Sequence, residues 1–410
     1  MTIETVIPLY GGYSLAKDDG VVFVRGAVPG ETVEADIVEK KRDYRVAVVR
    51  SVITPSPDRI EPLCPVFDIC GGCHYQFISY ERQLRIKEEI TLDCLRRIAK
   101  MDARLDATVA GEPWHYRRRA QLKVSRDGRI GFFRPLSHDV VEFEDCLILD
   151  PVLNQAIKRI KECRDLKRVR EIHLQRGDTT TAKIIGASSE HDLLIEELRN
   201  SGVSGGTINS EISFGEPSIC LPMEIQLSDG SRLSYFYRVS VDTFFQSNWA
   251  LNQKLIGLIL EYVRNIRPAR VIDIYAGAGN ISLALSAFAG EVVAVEENPK
   301  ACSDGQENLE LNRIGNVRFL NQRAERLKSG IEAEMVVLDP PRTGLTKEVR
   351  RKLAEISPEW IIYLSCNPAT FSRDMGALGE RYHIESIRVI DMFPQTYHIE
   401  LLGILKMKNQ

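Results

Sequence analysis

The sequence is short of several things, and each shortage removes a class of protein. No run of apolar residues approaches the ~18 needed for a membrane-spanning helix, so a membrane protein is not expected. The N-terminal segment, MTIETVIPLYGG, has no basic stretch followed by an apolar one, and a secretory leader is not expected either. The chain therefore reads as cytoplasmic. It has no internal repeat and no low-complexity tract, so a repeat architecture is not expected. Neither sign of charge dominates: the net charge of −3 gives no bulk attraction to nucleic acid, although binding depends on where the charge lies. An even cysteine count is missing too. Nine cysteines in a reducing compartment are poorly explained by disulfides and better explained by metal ligation or thiolate chemistry.

What is present is an ordinary globular composition, 44% apolar and 27% charged, in a chain of 410 residues with room for two or three domains. Residues 1–58 read as a small all-β module. Val21–Val24 is an apolar run, Glu31–Val38 and Tyr44–Ile53 alternate, turns fall at Asp18-Asp19-Gly20 and Pro29-Gly30, and Pro55-Ser56-Pro57-Asp58 is a linker. Five or so short strands suit an OB-like barrel, with Lys40, Lys41, Arg42, Arg45 and Arg50 available to phosphates; a solvated charged hairpin is the alternative.

Residues 59–238 form a mixed α+β middle region, with a helix near 80–100 and strand-like stretches at 118–134 and 140–149. Arg117, Arg118, Arg119, Lys123, Arg126, Arg129 and Arg134 are interleaved there with Trp114, Tyr116, Phe132 and Phe133. Cations hold phosphates and aromatic faces stack on bases, so this mixture suits RNA; a half-buried sheet with basic edges would look the same. From about residue 239, strands at 270–274, 291–295, 317–320, 335–338 and 360–364 alternate with helices, one of them at 281–289. That is the rhythm of a doubly wound, Rossmann-like α/β sheet.

Ligands in such sheets bind at the carboxyl ends of strands, and the chemistry-bearing residues fall there. The turn Tyr275-Ala276-Gly277-Ala278-Gly279-Asn280 follows the first strand and allows close backbone approach. Glu296 ends the next strand, placed to accept from ribose hydroxyls. No third fingerprint glycine follows Gly279, which favours an adenosyl ligand over a dinucleotide. Asp339 stands at a strand tip held extended by Pro340 and Pro341; a merely rigid turn is the alternative. Cys366, in Ser365-Cys366-Asn367-Pro368, follows another apolar strand. A lone cysteine is usually inert, but at a strand end facing the same crevice it is a candidate nucleophile. His398 and Glu400 lie two residues apart, and either could act as a base. Cys64, Cys70 and Cys73 fall within ten residues and Cys146 arrives later; by spacing alone, a four-cysteine zinc site and an iron–sulfur cluster are equally good chemistry.

Taken together these motifs resemble, over essentially the full length, the RNA uracil-C5 methyltransferases of the RumA/TrmA family. Phe244-Phe245-Gln246-Ser247-Asn248 is similar to the family's FFQ-x-N segment, Asp273 to Asn280 to its glycine loop with Ala276 at a common cysteine position, and Leu338 to Arg342 to its DPPR. Ser365 to Pro368 resembles its nucleophile signature and His398-Ile399-Glu400 its H-V-E. The resemblance implies a class I methyltransferase domain at 239–410 that binds S-adenosyl-L-methionine through Gln246, Tyr275, Asn280, Glu296 and Asp339. It implies Cys366 as the covalent nucleophile toward C6 of uracil and Glu400, not His398, as the base that takes the C5 proton. It further implies a TRAM module at 1–58 and a [4Fe-4S] cluster on Cys64, Cys70, Cys73 and Cys146. The expected substrate is RNA, 23S rRNA first and a tRNA T-loop uridine second, with no obligate protein partner. Two other classes stay open: a non-catalytic RNA-binding or chaperone protein with a degenerate methyltransferase domain, and a nicotinamide dehydrogenase, which would leave the Ser-Cys-Asn-Pro segment unexplained.

Overall fold

The computed structural model describes residues 1–163, 166, 168–187, 191–328 and 330–408. Strands β1 (Thr2–Leu9), β2 (Tyr13–Lys17), β3 (Val21–Arg25), β4 (Thr32–Lys40) and β5 (Arg45–Thr54) close a barrel in the order β1-β2-β3-β5-β4. Its interior is small, with Ile3, Ala16, Val22, Val24, Val33, Ala35 and Ala47, as a five-stranded closure demands. Much of the charge expected to face phosphate is paired: Arg45 with Asp18, Arg50 with Glu34 and Lys41 with Glu39.

The linker leads to the cysteine segment and then to α1 (Tyr80–Cys94), continued by a wider turn at Leu95–Ala99. This helix leaves the region it precedes. Ile86, Ile90 and Leu95 share a core with Ile361, Phe371 and Met375 near the C-terminus. On the same face Lys87, wholly buried, meets the wholly buried Asp391 at 2.5 Å. Two buried charges are tolerable only when paired, so the pair fixes how the helix sits on the 391–398 segment.

A seven-stranded sheet follows, built from β6 (Arg119–Val124), β7 (Ile130–Phe133), β8 (Val140–Glu142), β9 (Glu171–Arg176), β10 (Thr180–Ile185), β11 (Gly205–Ile208) and β12 (Ile212–Gly215). Its order is β12-β11-β10-β9-β6-β7-β8, and helices α2 (Pro151–Ile160) and α3 (His191–Asn200) cover it with Leu153, Ile157, Leu194 and Leu198. Its basic residues are largely engaged within the fold. Lys123 pairs with Glu171, Arg129 with Asp127, and Arg119 stacks on Phe244 and Phe245.

The hairpin β13 (Ser218–Gln226) and β14 (Arg232–Ser240) packs on α4 (Trp249–Ile266) and shares the core of the C-terminal sheet through Leu221, Met223, Tyr237 and Val239. The parallel strands β15 (Arg270–Ile274), β16 (Glu291–Glu296), β17 (Val317–Asn321), β18 (Met335–Leu338) and β19 (Trp360–Ser365) are joined by β20 (Tyr382–Ile390) and β21 (Glu400–Met407). The order is β17-β16-β15-β18-β19-β21-β20, with β21 antiparallel to both neighbours. Runs such as Met335–Leu338 are apolar at every position because both faces are covered. The chain order reverses between β15 and β18, which opens a crevice at their carboxyl ends. The expected helix at 281–289 is regular only over α5 (Ser282–Leu285); it then tightens into turns, with Phe288 N–H donating to Leu285 O. Among the described residues no helix is long and apolar enough to cross a membrane.

The open edge of β14 is closed by side chains of α6 (Pro299–Leu311) and the residue that ends it. Asn312 exchanges hydrogen bonds with Phe236 N–H and C=O (2.8 and 2.7 Å), and Asn308 does the same with Arg238 (2.7 and 2.9 Å). Asp304 accepts from Ser240 N–H at 2.9 Å. Four-residue helical steps thus meet two-residue strand steps, and the carboxamides stand in for a neighbouring strand's peptide groups.

Candidate active site

A cleft of about 590 Å³ opens at the strand ends, lined by residues of six separate segments. Cys366, Glu400, Asp339, Glu296, Tyr275 and Gln246 all reach it. Asn280 does not. Its carboxamide exchanges hydrogen bonds with Asn252 at 2.8 and 2.9 Å, which ties the glycine loop to α4.

At one end, both oxygens of Glu296 accept backbone N–H groups, from Gly277 at 2.9 Å and Asn298 at 2.8 Å. The turn between them is tight. Tyr275 has φ +70°, a conformation costly for a side-chain-bearing residue, and Gly277 has φ +56°. The turn stays closed because Tyr275 and Ala276 N–H both donate to Val295 O. Beneath it, the buried Asp273 accepts from Ser282 Oγ with one oxygen, while its Oδ1 has no partner among the described residues. Burial pushes Asp273 up to about 7.

At the other end stand Cys366, Glu400 and Asp339. Cys366 is the last residue before Asn367, whose side chain accepts from Ala369 and Thr370 N–H and so caps α8 (Pro368–Leu378), with Pro368 at its first turn. Ser-Cys-Asn-Pro therefore has a local reason: a strand ends, a cap begins, and the cysteine is held at the corner. Glu400 opens β21 beside it, only 5% exposed. Burial and the neighbouring Asp339 carboxylate push Glu400 well above its usual range, with Arg342 opposing. Burial alone raises Asp339 to about 6. The Cys366 thiol is also pushed up, to about 11, by burial and then by Glu400 and Asp339, again with Arg342 opposing. A nucleophile easy to ionise is thus not what the protein alone provides. Two acids and a thiol face one guanidinium, that of Arg342, the single Lys or Arg lining the cleft. His398, driven down to about 3 by burial and Arg342, is a neutral imidazole that meets Arg342 at 3.4 Å. Arg342 escaped the sequence reading as a site residue, although it closes the Asp-Pro-Pro-Arg segment.

The sequence profile of the tRNA (uracil-5-)-methyltransferase family matches residues 223–334 and 326–409. An uncharacterised RNA methyltransferase of Aquifex aeolicus is 33% identical over 100% of this chain and 98% of its own length. Another, from Clostridium acetobutylicum, is 33% identical over 95% of this chain and 93% of its own. The chain belongs to the tRNA (uracil-5-)-methyltransferase family. The fold agrees across the whole molecule. The crystal structure of Pyrococcus abyssi tRNA (uracil-54, C5)-methyltransferase in complex with S-adenosyl-L-homocysteine covers 98% of this chain and 99% of its own with a TM-score of 0.77, at 23% identity.

This methyltransferase has a second cavity, of about 200 Å³, in its middle region. Cys64, Cys70, Cys73 and Cys146 all line it, together with Phe67, Phe132, Phe143 and Arg117. The first three are brought in by tight turns: Cys70 N–H donates to Val66 O, and Gly71 N–H to Phe133 O. A Cβ at Gly71 would lie 2.7 Å from that same oxygen, so only glycine lets the segment approach β7. Cys146 is fixed by Asn154, which both accepts from its N–H and donates to its C=O at 3.0 Å. Burial pushes the thiols up, Cys73 to about 12 and Cys146 to about 11, and proximity to the other cysteines adds to this. Among the described residues no three His, Cys, Asp or Glu side chains converge as ligands of a single ion. A tetrahedral zinc would hold its sulfurs about 4 Å apart; here the four surround a space instead. The expected aromatics are spent on this wall and nearby, with Phe132 stacked on Phe143 and Tyr116 donating to Pro394 O.

Proposed function

We propose that this protein methylates carbon 5 of a uridine in RNA, with Cys366 as covalent nucleophile and Glu400 as base. The observation that carries the reading is the convergence of Cys366, Glu400, Asp339, Glu296 and Gln246 on one cleft from five separate segments. When bound, S-adenosylmethionine supplies a methyl group on a cationic sulfonium. Glu296 and the Gly277 turn would hold its ribose, and its positive charge would act on Asp339, which lines the same cleft. Cys366 releases its thiol proton to solvent and the thiolate forms a bond to C6 of the uracil, so that the electrons of the C5–C6 double bond become available at C5. Once C5 carries the methyl group, Glu400 takes its proton. The electrons of that C–H bond re-form the double bond and expel Cys366. Burial that makes Glu400 reluctant to ionise makes its carboxylate the stronger proton acceptor.

The preferred substrate is 23S rRNA. A tRNA T-loop uridine is the second reading, favoured by the description of the matching family. The four cysteines are assigned to a [4Fe-4S] cluster. What supports this is their arrangement around one aromatic-walled cavity rather than a point, and the high thiol values that a cationic centre would reverse. Incubation with 5-fluorouridine-substituted 23S rRNA and tRNA transcripts should trap a denaturation-resistant adduct with one of them. Cys366→Ala should form none and lose at least about 10³-fold in methyl transfer. Full activity in that variant would overturn the assignment.

A further inference from the structure

The first 58 residues fold as a separate barrel, yet its β1–β2 turn does not end in solvent. Tyr10, the first residue of that turn, lies against the C-terminal core, and its hydroxyl donates to the backbone carbonyl of Cys366 at 3.3 Å. Its ring meets Tyr397 edge-on at 5.6 Å and 85°. Tyr397 in turn touches both His74, next to Cys73, and His398, at 4.4 Å each. The turn is shaped for this contact. Gly11 and Gly12 have φ +97° and +82°, and the Gly12 Cα side faces Tyr397 and His74 with room for little more than one methyl group. Burial raises the Tyr10 phenol to about 12, with Arg342, Tyr397, Cys366 and Glu400 among the groups that act on it, so it stays a hydrogen-bond donor at any physiological pH.

We propose that Tyr10 is a positioning residue for the nucleophile, so that the N-terminal barrel is a constituent of the active centre and not only a surface for RNA. The Cys366 carbonyl belongs to the corner between β19 and α8, in the peptide whose N–H, that of Asn367, donates to Ser365 Oγ at 3.3 Å. Holding that carbonyl fixes the direction in which Cα and Sγ point into the cleft. Through Tyr397 the same ring backs the segment that leads to Glu400, so nucleophile and base are set against one support. The catalytic part of this inference rests on the roles of Cys366 and Glu400 proposed above; the conformational part does not.

Tyr10→Phe keeps the ring and removes only the hydroxyl. Adduct formation with 5-fluorouridine RNA and kcat should both fall about 3- to 10-fold, the rate equivalent of one neutral hydrogen bond, with KM for RNA and for S-adenosylmethionine unchanged. Tyr10→Ala, which also removes the support of Tyr397, should fall further. An effect confined to KM for RNA would make Tyr10 an RNA contact and overturn the proposal, as would wild-type kcat in Tyr10→Phe. A second measurement is independent of the substrate: alkylation of Cys366 by iodoacetamide, read peptide by peptide. It should change at least threefold in Tyr10→Phe while Cys163 and Cys220, distant half-buried thiols, react as in the wild type. An unchanged rate at Cys366 overturns the positioning role. If the wild-type protein modifies no RNA uridine, the functional reading fails and the alkylation result alone still decides this one.

Discussion

The donor end of the cleft and the cysteine cavity both gather groups that become anions, and they manage that charge in opposite ways. Glu296 is satisfied by the protein itself, with a backbone N–H on each oxygen. Its cradle is finished whether or not a ligand arrives. Cys70, Cys73 and Cys146 also receive hydrogen bonds, from Gly72, Gln76, and Ile148 with Leu149, but burial and the neighbouring cysteines outweigh these donors and hold the three thiols up. That site is a shape awaiting a charge. Asp339 and Glu400 lie between the extremes: one exposed guanidinium, that of Arg342, opposes the rise at Glu400, and the raised values of both leave room for a further cation. A preorganised site should tolerate loss of its ligand; a site whose ligand supplies the charge should not.

The largest break in that contrast should come from Cys146→Ser in anaerobically prepared protein. If the proposed cluster is held there, iron and sulfide should be lost, and urea denaturation should show a destabilisation of more than about 3 kcal/mol, because ligand binding would then be part of folding. S-adenosylmethionine affinity by calorimetry should stay within twofold. A parallel fall in that affinity would show that the two sites are not independent, and stoichiometric zinc without sulfide in the wild type would replace the cluster by a zinc site.

A smaller effect tests how finished the donor end is. Asn308, fully buried, holds both polar groups of Arg238 and also donates to Ala278 O in the glycine turn at 3.1 Å. Asn308→Ala should cost about 2 kcal/mol by urea denaturation, since one buried and two part-buried backbone groups lose their partner. It should also weaken S-adenosylmethionine binding a few-fold, while iron content is unchanged.

The smallest effect on stability is in pH. Asp339 has a folded value of about 6, above its ordinary 3.8, so the folded state holds its proton more tightly than the unfolded one. The stability this contributes is full below about pH 4 and is lost as pH rises through 6. A cationic ligand reverses the balance by favouring the ionised carboxylate. Affinity for S-adenosylmethionine should therefore rise about tenfold between pH 5 and pH 7 and then level. S-adenosylhomocysteine, uncharged at sulfur, should show a shallower rise. Equal pH profiles for the two would remove Asp339 from the sulfonium's surroundings.

Much of the α/β framework was readable because its signals are local. Glu296, Asp339 and Cys366 each end or follow an apolar strand, and strand tips in a parallel sheet meet at one edge whatever the loops do. Three strands of the barrel were readable, one as an apolar run and two from alternation, whereas β1 and β2, which bring in Ile3 and Ala16, were not singled out. What could not be read is carried by contacts between distant segments. Nothing near Tyr10 points to Cys366, 356 positions away. Nothing near Asn280 reveals that Asn252 exchanges hydrogen bonds with its carboxamide. The basic, aromatic run from Trp114 to Arg134 has the composition of an RNA surface, but composition cannot tell that Arg119 is stacked under Phe244 or that Phe132 walls a cavity. Nor does a Ser-Cys-Asn-Pro sequence reveal that its thiol stands among carboxylates and is harder to ionise than a free one.

The carboxamide rungs along β14 have a geometric limit. Four residues of helix advance 6.0 Å, and two residues of strand about 6.8 Å, so each rung slips by nearly 1 Å against the next. Four residues also turn the helix 40° past a full circle, swinging successive side chains away from the strand. Three rungs are about as many as hydrogen-bond tolerances allow. The burial follows that drift: Ser240 and Asp304 are enclosed, while Phe236, at the far rung, is 58% exposed. A helix can therefore seal a sheet edge against a second chain only over a short stretch. Beyond Phe236 the strand must rely on its charge and short length to stay solitary.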